Sequence, residues 1–372
     1  MSRFERQLIL PGFGPEGQEK LLRARILVVG AGGLGCPALL YLAASGVGTI
    51  GIADGDSVAL SNLNRQVLYG EADVGRLKAE VAASRLQAQY PDVRFEALPF
   101  FLSVENALEI ITRYDLVVDG SDNFPTRYLI NDACVLLQKP LVLGAIYQYE
   151  GQIAVLNTGP DAASYRDLFP VPPSASEVPN CNETGVLGVL PGVIGGLQAA
   201  EAIKLLTGVG KPLANKTLFY DLRTSSFFEV DIQPHPDARA MLPASAAAFQ
   251  SMHYADNCAP GFNHSSSVAS ISWPQAFELL NQNKGATLVD IREQDEEPAL
   301  EFPRCIRLPM SRLLSDPGPL ASAGDLLLFC RSGVRSIHMA RTLQARWDHK
   351  RIFSIEGGIL HPLSPINAQT NG

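Results

Sequence analysis

No two of the six cysteines, Cys36, Cys134, Cys181, Cys258, Cys305 and Cys330, stand in a C-x-x-C pair. That spacing is what a zinc ribbon or a thioredoxin-type redox pair needs, so neither is expected, and in a reducing compartment each cysteine should be a free thiol. Charge is also scarce, at 18% of residues against 46% apolar, which excludes long disorder and points to extensive burial or a subunit interface. Basic residues are outnumbered, 30 against 38 acidic, for a net charge of -8. That balance opposes adhesion to phosphate polymers, and no direct nucleic-acid partner is expected. The opening Met1-Ser2-Arg3-Phe4-Glu5-Arg6 has no apolar signal core, and no apolar run approaches the roughly 20 residues needed to span a bilayer. A cytoplasmic protein without a membrane partner is the expectation.

At roughly 100 to 200 residues per domain, 372 residues suggest two or three domains. From Arg25 to Asn157, short β-branched runs (Ile26 to Val29, Thr49 to Ala53, Val93 to Leu98, Leu116 to Val118, Leu141 to Ile146, Gln152 to Leu156) alternate with helical stretches. Leu34 to Ser45 is stopped by Gly46 and Gly48, and Val74 to Gln89 by Pro91. Such alternation predicts an α/β fold with a doubly wound, mostly parallel sheet. Residues Thr158 to Pro179, rich in proline, read as a long surface crossover, followed by a helix over Val193 to Leu206 and a closing strand pair over Thr217 to Ile232. Ala and Ser enrichment marks a linker over 241–267. The expected organisation is therefore a first domain over 1–240 and a smaller α/β module over 268–372.

Directly after the first strand comes Gly30-Ala31-Gly32-Gly33-Leu34-Gly35. Glycines there permit a tight turn and let main-chain N–H groups meet a phosphate at a helix N-terminus. Asp54 follows the second strand, placed to accept from a ribose hydroxyl. These features alone fit a dinucleotide enzyme as well as an ATP enzyme. The polar segment Ser61-Asn62-Leu63-Asn64-Arg65-Gln66, then Lys78, then Asp119-Gly120-Ser121-Asp122-Asn123, favours ATP. Attack of a carboxylate on an α-phosphorus gathers negative charge that cations and a magnesium-binding carboxylate stabilise, whereas hydride transfer has no evident use for them. An NAD-dependent oxidoreductase and a catalytically silent scaffold of the same fold remain the alternatives.

With these strings, Arg3-Phe4-Glu5-Arg6-Gln7, Asp54-Gly55-Asp56 and Gly185-Val186-Leu187-Gly188, the chain resembles the ubiquitin-activating-like adenylyltransferases that activate sulfur-carrier proteins, in the form fused to a C-terminal rhodanese domain. The resemblance implies a Rossmann-like adenylation domain that uses ATP and Mg2+. Gly30, Gly32, Gly33, Asp54, Ser61 and Asn123 would meet the nucleotide, and Asn62, Arg65 and Lys78 its ribose and phosphates. Asp122 would hold the magnesium. Arg6 would reach the ATP of a neighbouring subunit, making the active form a homodimer. The partner would be a small ubiquitin-like carrier ending in Gly-Gly, and the sulfur donor thiosulfate or a cysteine desulfurase.

Two cysteines carry the implied sulfur chemistry. Cys181, at the end of the crossover, stands where the family's cysteine meets the activated carrier, in a polar setting that keeps a thiol reactive. Cys330 opens the loop Arg331, Ser332, Gly333, Val334 and Arg335 before a helix beginning near Ser336. Main-chain N–H groups and the helix dipole would stabilise a thiolate or persulfide there, with Arg331 and Arg335 adding positive charge. A tyrosine-phosphatase loop separates Cys and Arg by five residues; here four intervene, which resembles a rhodanese. Asp290 and Arg292 read as structural supports.

Many relatives implied by the resemblance hold a structural zinc on two C-x-x-C pairs. Here Ser164 and Asp167 fall at the first pair and the second retains Cys258 at most, so no zinc site is expected. Cys305 reads as a core cysteine, with a second reactive thiol as the alternative.

Overall fold

The computed structural model describes residues 3–170, 185–254, 268–294, 296, 300, 302–315, 317–331, 333–347, 349–361 and 363–365. The chain divides into two compact units, one of residues 1–166, 178–229 and 234–258, the other of 167–177, 230–233 and 259–372. In the first, helices α1 (Glu5–Leu8) and α2 (Gly14–Arg23) precede strand β1 (Arg25–Val29), α3 (Gly35–Ser45), β2 (Thr49–Ala53), α4 (Lys78–Gln89), β3 (Arg94–Leu98), α5 (Ala107–Thr112), β4 (Leu116–Asp119), α6 (Phe124–Leu136) and β5 (Leu141–Tyr147). The five strands pair in parallel in the order β3-β2-β1-β4-β5. Strands β6 (Glu150–Leu156) and β7 (Lys216–Asp221) extend the sheet antiparallel, and β8 (Ser226–Asp231) takes its edge. This is the doubly wound α/β fold expected from the alternation, and β1 and β2 read as continuous apolar runs because helices cover both faces of a parallel sheet.

Three segments differ from the sequence reading. The expected helix over Val74 to Gln89 begins only at Lys78, because Gly75 adopts φ +86° after the 3-10 turn Glu71–Asp73. Within the expected crossover, helix α7 (Tyr165–Leu168) forms a single turn whose Tyr165 and Arg166 are buried. Helix α8 (Val189–Thr207) is longer than expected, and its 19 residues, with mean hydropathy 1.4 over 18 of them, are long and apolar enough to cross a membrane by composition alone. In the fold it packs on α3, β5 and β6. Its fully buried Gln198 donates through Nε2 to the carbonyls of Asp119 (2.7 Å) and Val142 (3.2 Å), tying the helix to two neighbouring strands. Helices α9 (Pro236–Ala240) and α10 (Ala246–Gln250) follow β8, and α10 packs on α6.

The second unit is built around β9 (Ala269–Ile271), β10 (Thr287–Asp290), β11 (Cys305–Arg307), β12 (Leu326–Phe329) and β13 (Ile352–Ile355), with α11 (Trp273–Gln282), α12 (Met310–Ser315) and α13 (Val334–Arg346) among them. Its strands are all parallel, in the order β11-β10-β12-β13-β9. Alternate residues of β12 feed opposite faces: Leu326 and Leu328 join Met339 and Leu343, while Leu327 and Phe329 join Trp273 and Leu280. Cys330 therefore follows a strand buried on both sides.

Replacing Gln198 by Leu removes both anchoring hydrogen bonds at nearly constant volume. Urea unfolding of the full chain is expected to show the first unit destabilised by about 1–3 kcal/mol, and an unchanged midpoint would contradict the anchoring role.

Candidate functional site

The strand order reverses between β1 and β4, and in such sheets ligands bind in the crevice at the carboxyl ends of those strands. The glycine loop leaves β1 there and leads into α3. It is packed too tightly for a side chain: a Cβ on Gly35 would lie 1.8 Å from the Gly30 carbonyl oxygen. Asp54, at the end of β2, fixes the loop. Its carboxylate accepts from the Ala31 N–H at 2.7 Å and the Asp56 N–H at 2.8 Å. Burial raises its pKa, against the opposing pull of Lys78 and these amides. A carboxylate has about four acceptor positions, so Asp54 retains capacity for a ribose hydroxyl. Tyr69 braces the loop from below by donating to the Ala31 carbonyl at 2.8 Å.

Gly32 and Gly33 face the polar segment. A Cβ on Gly33 would lie 3.5 Å from Arg65 Cγ, and one on Gly32 3.6 Å from Gln66 Nε2. Arg65 is held by the Ser61 carbonyl and Asn64 Oδ1, both at 3.1 Å, and Asn62 closes the short 3-10 turn Leu60–Asn62. The second glycine string gains a reason here, because a Cβ on Gly188 would strike the Asn64 carbonyl oxygen at 2.1 Å. Lys78, the first residue of α4, is buried; its ammonium meets Asp56 Oδ2 at 2.9 Å while its N–H donates to the Asp56 carbonyl. At the end of β4, Asp122 is exposed. Asn123, expected to meet the nucleotide, is the N-cap of α6 and accepts from the Thr126 N–H at 2.9 Å. The structure thus brings Gly30, Gly32, Gly33, Asp54, Arg65, Lys78 and Asp122 to one end of the sheet. Arg6 stands exposed on α1, and Cys181 lies outside the described residues.

In the second unit Cys330 is fully buried, and its Sγ accepts from the Gly333 N–H at 3.1 Å. Gly333 has φ +97°, a conformation that side chains resist, and it caps α13. Ser332 lies outside the described residues; Val334 begins the helix and Arg331 is half-buried. Arg335, expected to add charge near the sulfur, has a buried guanidinium paired bidentately with Glu296 at 2.5 and 2.8 Å, a contact that braces the loop. Arg292 and Asp290 form a second buried bidentate pair, in line with a supporting role. Cys305 is half-buried against the Trp273 cluster, and burial pushes its thiol up to about 12.

The residues at the resemblance's zinc position do not fit that metal. Ser164 Oγ accepts from the Arg166 N–H, and the Arg166 guanidinium occupies the neighbouring interior in an ion pair with Asp132. Among the described residues no group of three or more His, Cys, Asp or Glu could hold a metal. Cys258 and His264 lie outside the described residues.

The model of the ThiF family matches residues 4–240. The chain belongs to the ThiF family. It is 58% identical over 240 residues to the sulfur carrier protein adenylyltransferase of Thermus thermophilus, a match covering 63% of this chain and 89% of that one. It is 40% identical over 341 residues to the probable adenylyltransferase/sulfurtransferase MoeZ of Mycobacterium tuberculosis, covering 90% and 86%. Among solved structures, E. coli MccB with ATP shares the fold, with a TM-score of 0.55 and 23% identity over 63% of this chain and 73% of that chain.

Burial alone would raise the Glu296 pKa, but Arg335 outweighs it and holds the carboxyl below its ordinary 4.5. The pair's stabilisation is then fully present above that value and lost as pH falls through the lower folded value. Both tryptophans, Trp273 and Trp347, belong to the second unit. Fluorescence-monitored unfolding should show Glu296→Gln destabilised by about 1–3 kcal/mol at neutral pH, since the buried Arg335 loses a charged acceptor, with its acid-dependent loss gone. Metal analysis of the purified protein should find no stoichiometric zinc; one zinc per chain would mean that ligands such as Cys258 or His264 rebuild a site.

Proposed function

We propose that this enzyme uses ATP to adenylate the C-terminal carboxylate of a small ubiquitin-like sulfur carrier, then replaces AMP by sulfur drawn from a persulfide on Cys330. The observation that supports this most is the presence in one chain of a nucleotide crevice with a buried lysine and a second unit whose cysteine sulfur receives a main-chain N–H. A relative named for both activities aligns across 90% of the chain. In the first step a carrier carboxylate oxygen attacks the α-phosphorus and pyrophosphate leaves. The loop N–H groups at the start of α3 and the Arg65 and Lys78 cations stabilise the charge that gathers there. Asp54 orients the ribose through its remaining acceptor capacity. Asp122, exposed beside the crevice, is the residue that would hold Mg2+, which shares its coordination between one or two carboxylates and phosphate oxygens; bound there, it would neutralise phosphate charge. Arg6 acts on the ATP of the second protomer of a homodimer.

In the second step the outer sulfur of the Cys330 persulfide attacks the acyl carbon and AMP leaves. A second thiol, assigned to Cys181, then takes the Cys330 sulfur into a disulfide and frees the carrier thiocarboxylate, and a cellular thiol reduces that disulfide. Thiosulfate or a cysteine desulfurase loads the next sulfur. The lysine in the crevice argues for phosphate chemistry over hydride transfer.

Pyrophosphate exchange into ATP should require a carrier with a free C-terminal carboxylate and should be lost in Asp122→Ala and Arg65→Ala. Cys330→Ser should retain exchange yet make no thiocarboxylate from thiosulfate in a sulfide-free assay. Full exchange in both nucleotide-site variants would overturn the assignment, and normal thiocarboxylate formation by Cys330→Ser would make the second unit a bystander.

A further inference from the structure

Two of the places where the chain leaves the first unit follow Arg166 and residue 258. Residues close to both exits converge on one carboxylate. Asp132, on α6, is fully buried, as is nearly all of Arg166 and Tyr254. Its Oδ1 accepts from Arg166 Nε at 2.9 Å, and its Oδ2 from Arg166 Nη2 at 2.6 Å and from the Tyr254 hydroxyl at 2.9 Å. Asn131, the preceding residue, completes the cluster: its Nδ2 donates to Asp132 Oδ1 at 3.0 Å, and its Oδ1 accepts from the Tyr165 N–H at 2.8 Å and Asn157 Nδ2 at 3.2 Å. Aromatic rings enclose these groups, with Arg166 over Tyr128 at 5.1 Å and Tyr254 against Phe249 at 5.8 Å.

Stability alone does not call for this arrangement. Desolvating two charges costs so much that apolar side chains of equal volume often serve a core as well or better. What hydrogen-bonded charges add is direction, since each bond fixes which residue sits where. Here the partners are 34 and 122 residues from Asp132 in sequence, so the bonds fix the root of the crossover and the root of the interdomain arm against the same turn of α6.

We propose that Asp132 is a positioning residue that cross-links the crossover root at Arg166 to the arm root at Tyr254, so that one carboxylate sets both exits from the adenylation unit. Its consequence for sulfur transfer rests on the function proposed above: the first exit leads toward Cys181 and the second toward the unit that carries Cys330. Loosening the cross-link should slow the step that needs both segments while sparing the half-reaction each unit performs alone.

Hydrogen exchange on the full chain tests the cross-link itself. Tyr254→Phe keeps the ring against Phe249 and removes only the hydroxyl. It should speed amide exchange roughly tenfold at residues 245–254 and also at 163–168, with the parallel strands unchanged. Acceleration at 245–254 alone, or no acceleration, would overturn the shared clamp. Asp132→Asn should loosen both segments further; if that variant does not fold, Tyr254→Phe decides. In the same Tyr254→Phe protein, thiosulfate-to-cyanide sulfur transfer and ATP–pyrophosphate exchange should stay within roughly twofold of wild type while carrier thiocarboxylate formation falls several-fold. A parallel fall in all three would reduce Asp132 to a structural residue. Should the wild-type chain make no thiocarboxylate, the proposed function fails and the exchange pattern still decides the clamp.

Discussion

The hydrogen bond from the Ala31 N–H to the Asp54 carboxylate fixes the part of the first unit on which its chemistry depends. A phosphate-binding loop must keep main-chain N–H groups unpaired and convergent, which a free chain avoids. Asp54 takes the Ala31 N–H and the Asp56 N–H, and with the Gly30 N–H bonded to the Ala53 carbonyl this locks the loop to the end of β2. The close approach at Gly35 and the Tyr69 bond to the Ala31 carbonyl act on the same few residues. Lys78 reaches that region because Gly75 ends the preceding turn and lets α4 begin with the lysine itself.

The second unit meets an analogous demand with sulfur in place of phosphate. Cys330 follows a strand buried on both faces, and the Gly333 N–H points at its sulfur. Two buried arginine–carboxylate pairs stand near it in the fold, Arg335 with Glu296 and Arg292 with Asp290. They stiffen the surroundings of the Cys330 sulfur. In both units fixed charges hold backbone in place beside the loop that follows a buried strand.

Much of this was legible in the sequence for a simple reason. Strands such as Thr49 to Ala53 and the glycine loop are local, and their signals lie within a few residues of one another. What escaped was non-local or disguised. Asp132 and Arg166 look like ordinary surface charges in sequence, and only folding brings them together across 34 residues. Glu296 sits in a run of acidic residues that reads as solvated, yet one of them is captured by Arg335. Helix α7 was hidden among prolines and small residues, because a single turn carries no periodicity to detect. The N-cap role of Asn123 carries no signal in the nucleotide pattern, because it depends on where α6 begins.

Conversion of a carrier carboxylate into a thiocarboxylate by this one chain is read directly by intact-mass spectrometry of Gly-Gly-ending carrier proteins incubated with the enzyme, ATP, Mg2+, thiosulfate and a reducing thiol. The carrier should become heavier by the difference between one sulfur and one oxygen atom, and only when ATP and thiosulfate are both present. A carrier that keeps its original mass, or gains sulfur equally well without ATP, would contradict it.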